Sequence, residues 1–326
     1  KYFDNVLYTG NDSTNNITGL NFSPDWVWIK QRNGTFWSQM FDTLRGVNTR
    51  IYSNRTDAEN VNDPTLTAFN SDGFTLGDDD GGVNGGSNTY VAWNWEGGDS
   101  TVTNTSGSIS SQVRASAVSG FSICTWTGNG SSGATIGHGL GVTPNFCFIK
   151  RRDQGGNNWI AASFDEESAR ELNTGNGFST GDYDAFFPSQ PSSTTVTLGT
   201  DSNNNTSGAT YVGYFFANVY GYSKAGVYLG NGSSNGSFIY TGFRPAWVIY
   251  KRFDSSDDGW YIQDSARSTT NVTKVALNVS STNSESGENI GDMLSNGFKI
   301  RIGGNGNFNA SGAKYIYLAF AEAPFK

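Results

Sequence analysis

Apolar residues along this chain come in short bursts separated by turn-forming clusters. Near the N-terminus the bursts Tyr2–Tyr8, Asp25–Gln31, Thr35–Phe41, Gly73–Leu76 and Thr89–Trp95 alternate with polar residues or are rich in aromatic and β-branched ones. That pattern predicts strands. The clusters between them, Gly10-Asn-Asp-Ser13, Asn33-Gly34 and Asp78-Asp-Asp-Gly-Gly82, predict turns, Asn-Gly being the pair that best tolerates the positive φ of a tight hairpin. Trp26–Ile29 is apolar at every position, so both faces of that strand need cover. Thr56–Thr67 lacks a clear period and predicts one helical turn or a long loop. Helix is otherwise scarce, the main candidate being Glu288–Ser295 ahead of the strand Gly297–Ile302.

The pattern repeats. Pro24-Asp-Trp-Val-Trp-Ile-Lys30 returns as Pro144-Asn-Phe-Cys-Phe-Ile-Lys150 and as Pro245-Ala-Trp-Val-Ile-Tyr-Lys251. Each copy follows an aromatic-x-Gly-Asn opening, at Tyr8–Asn11, Trp126–Asn129 and Tyr228–Asn231. Each precedes a tryptophan and an Asp…Arg pair: Trp37, Asp42 and Arg45; Trp159, Asp165 and Arg170; Trp260, Asp264 and Arg267. Each closes on an aromatic strand, at Tyr90–Trp93, Tyr211–Tyr214 and Tyr315–Tyr317. A period of about 100 residues is too long for a solenoid and is the size of a small domain. The expected fold is all-β: three tandem antiparallel β-sandwich modules, jelly-roll-like, with little helix. The modules span 1–98, 121–223 and 224–326. Residues 99–120, rich in Ser and Thr with a Val/Ile alternation, form a linker or an extended arm. The short joint Tyr220–Lys224 predicts tight packing of the last two modules and more freedom between the first two.

Composition narrows the function. Of 326 residues only 15% are charged while 14% are aromatic and 42 are Gly, enough apolar surface to fold. The net charge of −8 and a pI near 4.7 leave no basic stripe for nucleic acid. No apolar run is long enough to span a bilayer. One His and two Cys supply no soft-metal set. Cys124 and Cys147 stand where sister modules carry Val, which makes buried thiols the first expectation and a disulfide the second. His138 has no counterpart elsewhere and reads as a turn residue.

The strings Gly120-Phe-Ser-Ile-Cys-Thr-Trp-Thr-Gly-Asn-Gly130, Ile136–Pro144 with Phe148–Asp153, and Gly226–Gly232 with Tyr240–Pro245 resemble a module of tailed-phage virion proteins. The ending Ala319-Phe-Ala-Glu-Ala-Pro-Phe-Lys326 is similar to the close of that module in marine and cyanobacterial phages. Asp72–Gly77 and Tyr90–Trp95 resemble a related version, so nearly the whole chain is covered. The resemblance implies a structural, non-enzymatic protein of the virion surface (a fibre, spike, appendage or decoration component), and it transfers no catalytic residue. Repetition adds an expected homo-oligomer in contact with other virion proteins and with a host-surface glycan. The competing readings are a carbohydrate-binding adhesin, a polysaccharide-degrading enzyme and a bacterial extracellular filament protein.

Against that background each recurring side chain has a candidate role. Three Asp…Arg pairs suit salt bridges at a turn better than three acid/base centres. Lys30, Lys150 and Lys251 end apolar strands and are expected to lay their stems on the core with the ammonium in water or beside a carboxylate. Trp37, Trp159 and Trp260 are expected core anchors. Trp93 and Trp95 share one strand face and are the candidate glycan platform, with core packing as the alternative. Asp78, Asp79 and Asp80, and the loop Asp254–Asp258, have the clustered oxygens that Ca²⁺ prefers, although the corresponding loops of the other copies lack them. The sequons at Asn11, Asn16 and Asn33 follow from an Asn-rich composition.

Overall fold

The computed structural model describes all residues except 79, 80, 175–181, 256–258 and 326, and the side chain of Asp182. The chain is built almost wholly of antiparallel strands. The first module contains β1 (Phe3–Thr9), β2 (Asn15–Thr18), β3 (Trp26–Gln31), β4 (Gln39–Asp42), β5 (Ile51–Tyr52), β6 (Leu66–Asn70), β7 (Gly73–Leu76) and β8 (Thr89–Trp95). Two strands follow in the connecting segment, β9 (Val102–Asn104) and β10 (Ser111–Ser116). The second module contains β11 (Phe121–Thr127), β12 (Ala134–Gly137), β13 (Phe146–Arg151), β14 (Ile160–Ser163), β15 (Ser168–Glu171), a short helix α1 (Asp182–Phe186), β16 (Thr195–Leu198) and β17 (Thr210–Phe216). The third contains β18 (Ser223–Leu229), β19 (Phe238–Tyr240), β20 (Pro245–Arg252), β21 (Tyr261–Asp264), β22 (Thr273–Asn278), β23 (Ser286–Leu294), β24 (Gly297–Ile300) and β25 (Lys314–Ala321).

One topology occurs three times. The inner sheets run β1-β8-β3-β4-β5, β11-β17-β13-β14-β15 and β18-β25-β20-β21-β22. Smaller outer sheets, β2-β7-β6, β12-β16 and β19-β24-β23, lie across them, and in the third module β22–β23 pairing joins inner to outer. The strands at Gly73–Leu76 and Thr89–Trp95 form as their alternation predicts. Glu288–Ser295 does not form a helix. Ile290, Met293 and Leu294 have helical spacing, but the segment lies in β23, paired with β22 and β24. Tertiary pairing overrides a weak local period there.

Two-sided cover explains the unbroken apolar strands. Along β3, Val27 and Ile29 face the interior of their own sandwich with Ile17, Phe41 and Phe74. Trp26 and Trp28 face the opposite way, into a second core drawn from all three modules. There Trp26 stacks on Tyr214 at 4.4 Å, Trp95 meets Trp247 edge-on at 5.4 Å, and Phe216 meets Phe320 at 5.8 Å. Those three contacts join first to second, first to third and second to third module. The first two modules are thus no looser than the last two. Segment 99–120 takes part in the same packing: β10 pairs with β11, β9 pairs with β10, and Arg114 reaches back to Asp25 at 2.5 Å.

Candidate functional site

The recurring polar residues meet at the seams between modules. Lys30 is buried and donates to the carbonyls of Phe36 in its own module, at 2.7 Å, and Ser281 in the third, at 3.2 Å. Lys150 repeats this, donating to Asn157 at 2.8 Å and to Thr56 of the first module at 3.2 Å. Lys251 is buried as well. The ammonium groups of Lys30 and Lys150 sit on carbonyls, neither in water nor on a carboxylate, contrary to the expectation from strand ends. Burial without a close countercharge pulls Lys30 down to about 8, and burial pulls Lys150 down to about 8.

The seams bridged by Lys150 and Lys30 each also hold an ionic constellation. At the seam of modules one and two, Arg45 binds Asp42 at 2.5 Å with both side chains fully buried, and the Tyr214 hydroxyl donates to Asp42 at 2.7 Å. Arg152 closes the seam with two bonds to Glu59, at 2.8 and 2.9 Å, and its carbonyl accepts the Glu59 N–H at 2.9 Å. At the seam of modules three and one, Arg267 binds Asp264 at 2.6 Å and the Trp93 indole N–H donates to Asp264 at 2.9 Å. Arg32 grips Glu285 at 2.7 and 3.1 Å, and the Glu285 N–H again bonds the arginine carbonyl. Module one reaches to three, and two reaches to one. This is the single rotational sense of a closed head-to-tail ring.

The third seam keeps the geometry with a different set of side chains. Hairpin register places Ser163 opposite Phe146, where Asp42 lies opposite Trp26 and Asp264 opposite Trp247. Asp165 is therefore two positions past the seam; it is exposed and accepts from Asn145 at 3.0 and 3.1 Å. Arg170 is not its partner. That side chain donates to the carbonyl of Phe253 and lies over the Phe253 ring at 5.8 Å, and Phe253 holds the place of Arg32 and Arg152. Leu318 stands where Trp93 and Tyr214 stand in the other copies.

Register also corrects the tryptophans. Trp159 and Trp260 are fully buried and donate across seams to the carbonyls of Tyr52, at 2.8 Å, and Glu171, at 2.9 Å. Ser38, not Trp37, occupies that position in module one, and Trp28 fills the space with its indole N–H on the Ser38 hydroxyl at 2.6 Å. Trp37 is displaced to the surface, 40% exposed, with Arg55 over its ring at 3.9 Å. Trp93 and Trp95 have no exposed surface. They belong to the shared core and offer no ring face to a sugar.

The surface differs most at the free edge of each inner sheet. In module two the connecting segment covers that edge. β10 pairs along β11, Ile109 pairs with Ile136 of the outer sheet, and Ile109 and Val113 are buried in the sandwich interior. The cover is so close that a Cβ on Gly137 would meet Asn104. In module one, β1 carries Lys1 and Asp4 paired at 2.8 Å, the Asp4 carboxylate accepts the Asn5 N–H, and the Asn15 side chain donates to the Thr9 carbonyl. Charge and local side chains blunt an edge in this way. In module three side chains act at the two ends of the edge, the Ala225 N–H bonding the Asn218 side chain and the Leu229 carbonyl accepting the Ser237 hydroxyl, and what sets this edge apart is the surface beside it. Between β18 and β19 runs an open groove of about 440 Å³. It is flanked by Leu229 (57% exposed), Phe238 (46%) and Tyr240 (55%), and Tyr240 occupies the register position of Gly137.

The remaining candidates are local. His138 is buried at the turn after β12, its ring on the Ser192 carbonyl at 3.2 Å, and burial lowers its pKa. Cys124 and Cys147 are free and buried; burial pushes the Cys124 thiol up to about 12 and that of Cys147 higher still. Asp79 and Asp80 of the proposed Ca²⁺ loop, and Asp257 and Asp258 of the other, lie outside the described residues. Asp254 is held by Arg252 at 2.7 Å. No cluster of His, Cys, Asp or Glu suited to a metal occurs among the described residues, and no helix among them is long and apolar enough to cross a membrane. Arg32, Arg152, Glu59 and Glu285 escaped the sequence reading. Arg32 and Arg152 stand equally far past their prolines, which was the available signal.

A family model described as "Domain of unknown function (DUF7483)" matches residues 1–324. The chain belongs to this family. Its model spans all three modules as one unit, as does the shared core. No curated protein and no solved structure matches the chain.

Proposed function

We propose that this chain is a structural component of a tailed-phage virion surface, acting through assembly and host attachment rather than catalysis. The observation that supports this best is the destination of the recurring side chains. Lys30, Lys150, Asp42, Arg45, Asp264, Trp159 and Trp260 bond across seams, and Arg267 lies over the Trp93 ring of the first module. A repeat whose polar residues serve its own seams builds a rigid body, which suits a part used in assembly, including the expected homo-oligomer. An acid/base pair for glycan cleavage needs two carboxylates about 5–10 Å apart across a cleft, whereas the buried Asp42 and Asp264 are each neutralised by an arginine. The resemblance to phage virion modules gives the setting.

Cryo-electron microscopy of the particle, with mass spectrometry of purified virions, tests the proposal. The expected result is density for the three-module ring at a surface position with fixed neighbours. Absence from the virion, or a purified monomer that hydrolyses polysaccharide, would overturn it.

A further inference from the structure

The edge strand of module three also has a defined set of outward backbone groups. The Gly230 N–H bonds the Ala313 carbonyl and the Ala321 N–H bonds the Tyr222 carbonyl. Even-numbered residues of β18 therefore point at β25, and odd-numbered ones point outward. Ser223 is satisfied by Val219, and the Ala225 N–H by the Asn218 side chain at 2.6 Å. The N–H and C=O of Val227 and the C=O of Ala225 meet no other strand among the described residues. Their register equivalents in module two, Thr125 and Ile123, pair with Gln112 and Arg114 of β10. The chain thus displays, side by side, one such edge with a strand in place and another without it.

From this juxtaposition we infer that the groove between β18 and β19 is a docking site for an extended strand of a neighbouring polypeptide, antiparallel to β18. The strand has the chemistry of the segment that fills module two: small and polar residues, with apolar side chains spaced like Ile109 and Val113. Main-chain bonds to Val227 and Ala225 give affinity, and apolar pegs against Leu229, Phe238 and Tyr240 give register. Lys224, which donates to the Tyr240 carbonyl at 2.9 Å, closes one end and limits where the strand enters. The inference deepens the assembly reading by naming the kind of partner, and it rests on that reading only for where the partner comes from.

The probe is a labelled peptide of residues 106–117, titrated by fluorescence anisotropy against the full chain. Saturable binding is expected, with a scrambled peptide weaker by about tenfold or more. Val227→Pro removes only an outward N–H, the position at which an edge strand tolerates proline; it should abolish binding while the circular dichroism spectrum stays unchanged. Phe238→Glu, which alters no backbone bond, should do the same and carries the test if Val227→Pro unfolds. No binding at millimolar peptide, or binding indifferent to both substitutions, overturns the inference. Concentration-dependent dimerisation of the chain alone, lost in Val227→Pro, assigns the edge to a second copy and also overturns it. These outcomes are independent of whether the chain is found in virions, so each proposal fails separately.

Discussion

Among the described residues two seams of the ring carry a buried Asp–Arg pair, and the third has Ser163 and Leu318 in the corresponding places, although all three share one backbone geometry. Where Asp42 and Asp264 are present, a polar donor from the next module, Tyr214 or Trp93, aims at the carboxylate, and an arginine sits three residues on. Where the acid is Ser163, the facing residue is Leu318 and the arginine's place holds the exposed Glu166. The aspartate, its arginine and the facing donor are thus kept or dropped as a set. That is what electrostatics requires, since an ion pair can be exchanged for apolar packing at little cost, while half of one is expensive.

The comparison breaks most visibly if one member is removed. Asp264→Ala leaves Arg267 and the Trp93 N–H without their acceptor and should cost about 3–5 kcal/mol in urea unfolding, whereas Ser163→Ala should cost less than about 1 kcal/mol. The converse, Ser163→Asp, inserts an unpaired carboxylate opposite Leu318. A loss of about 2–4 kcal/mol is expected, partly restored by Leu318→Tyr. Tyr214→Phe removes the bond donated to Asp42 and the longer one accepted from Arg45 and should cost about 1.5–3 kcal/mol, with a coupling to Asp42→Ala that a double-mutant cycle reads directly.

The lysines add a pH signature. Lys30 and Lys150 titrate near 8 in the folded chain and near 10.5 unfolded, so between those values the unfolded state binds more protons and stability rises with pH. A gain of about 1–3 kcal/mol per lysine is expected as pH goes from 8 to 10. Above 10 the trend reverses, because burial holds Tyr214, Tyr222 and Tyr250 protonated when folded. A melting temperature that falls monotonically from pH 7 to 10 would contradict this. The smallest effect belongs to the partly exposed pair Arg32 and Glu285, where Arg32→Ala should cost about 1 kcal/mol or less.

Much of the fold was legible because β-structure is written in alternation: the three repeats, the strands at Gly73–Leu76 and Thr89–Trp95, and the two-sided cover of Trp26–Ile29. What escaped shares one cause. Residue type was aligned where ladder register decides, so Trp37 was equated with Trp159 and Trp260, and Asp165 with Asp42. A shift of one residue reverses the face of a side chain, and Trp37 accordingly lies outside while Ser38 lies within. The shared core was half visible. The apolar second face of β3 was plain, but the sequence has no local mark for which surface covers it. The segment 99–120 has the composition of a linker, and its Val/Ile alternation, with Ile109 and Val113 on the buried side, marks the extended arm that β9 and β10 form.

Fusing three modules into one chain has a consequence for valency. A ring made of three identical subunits must treat its three edges alike, and three open grooves would make every ring a branch point. A ring encoded in one chain can cover one edge with its own strand and give the other two different surfaces. On the docking inferred for the groove between β18 and β19, its positions are unequal, and units of that kind would join in a preferred order instead of forming a network.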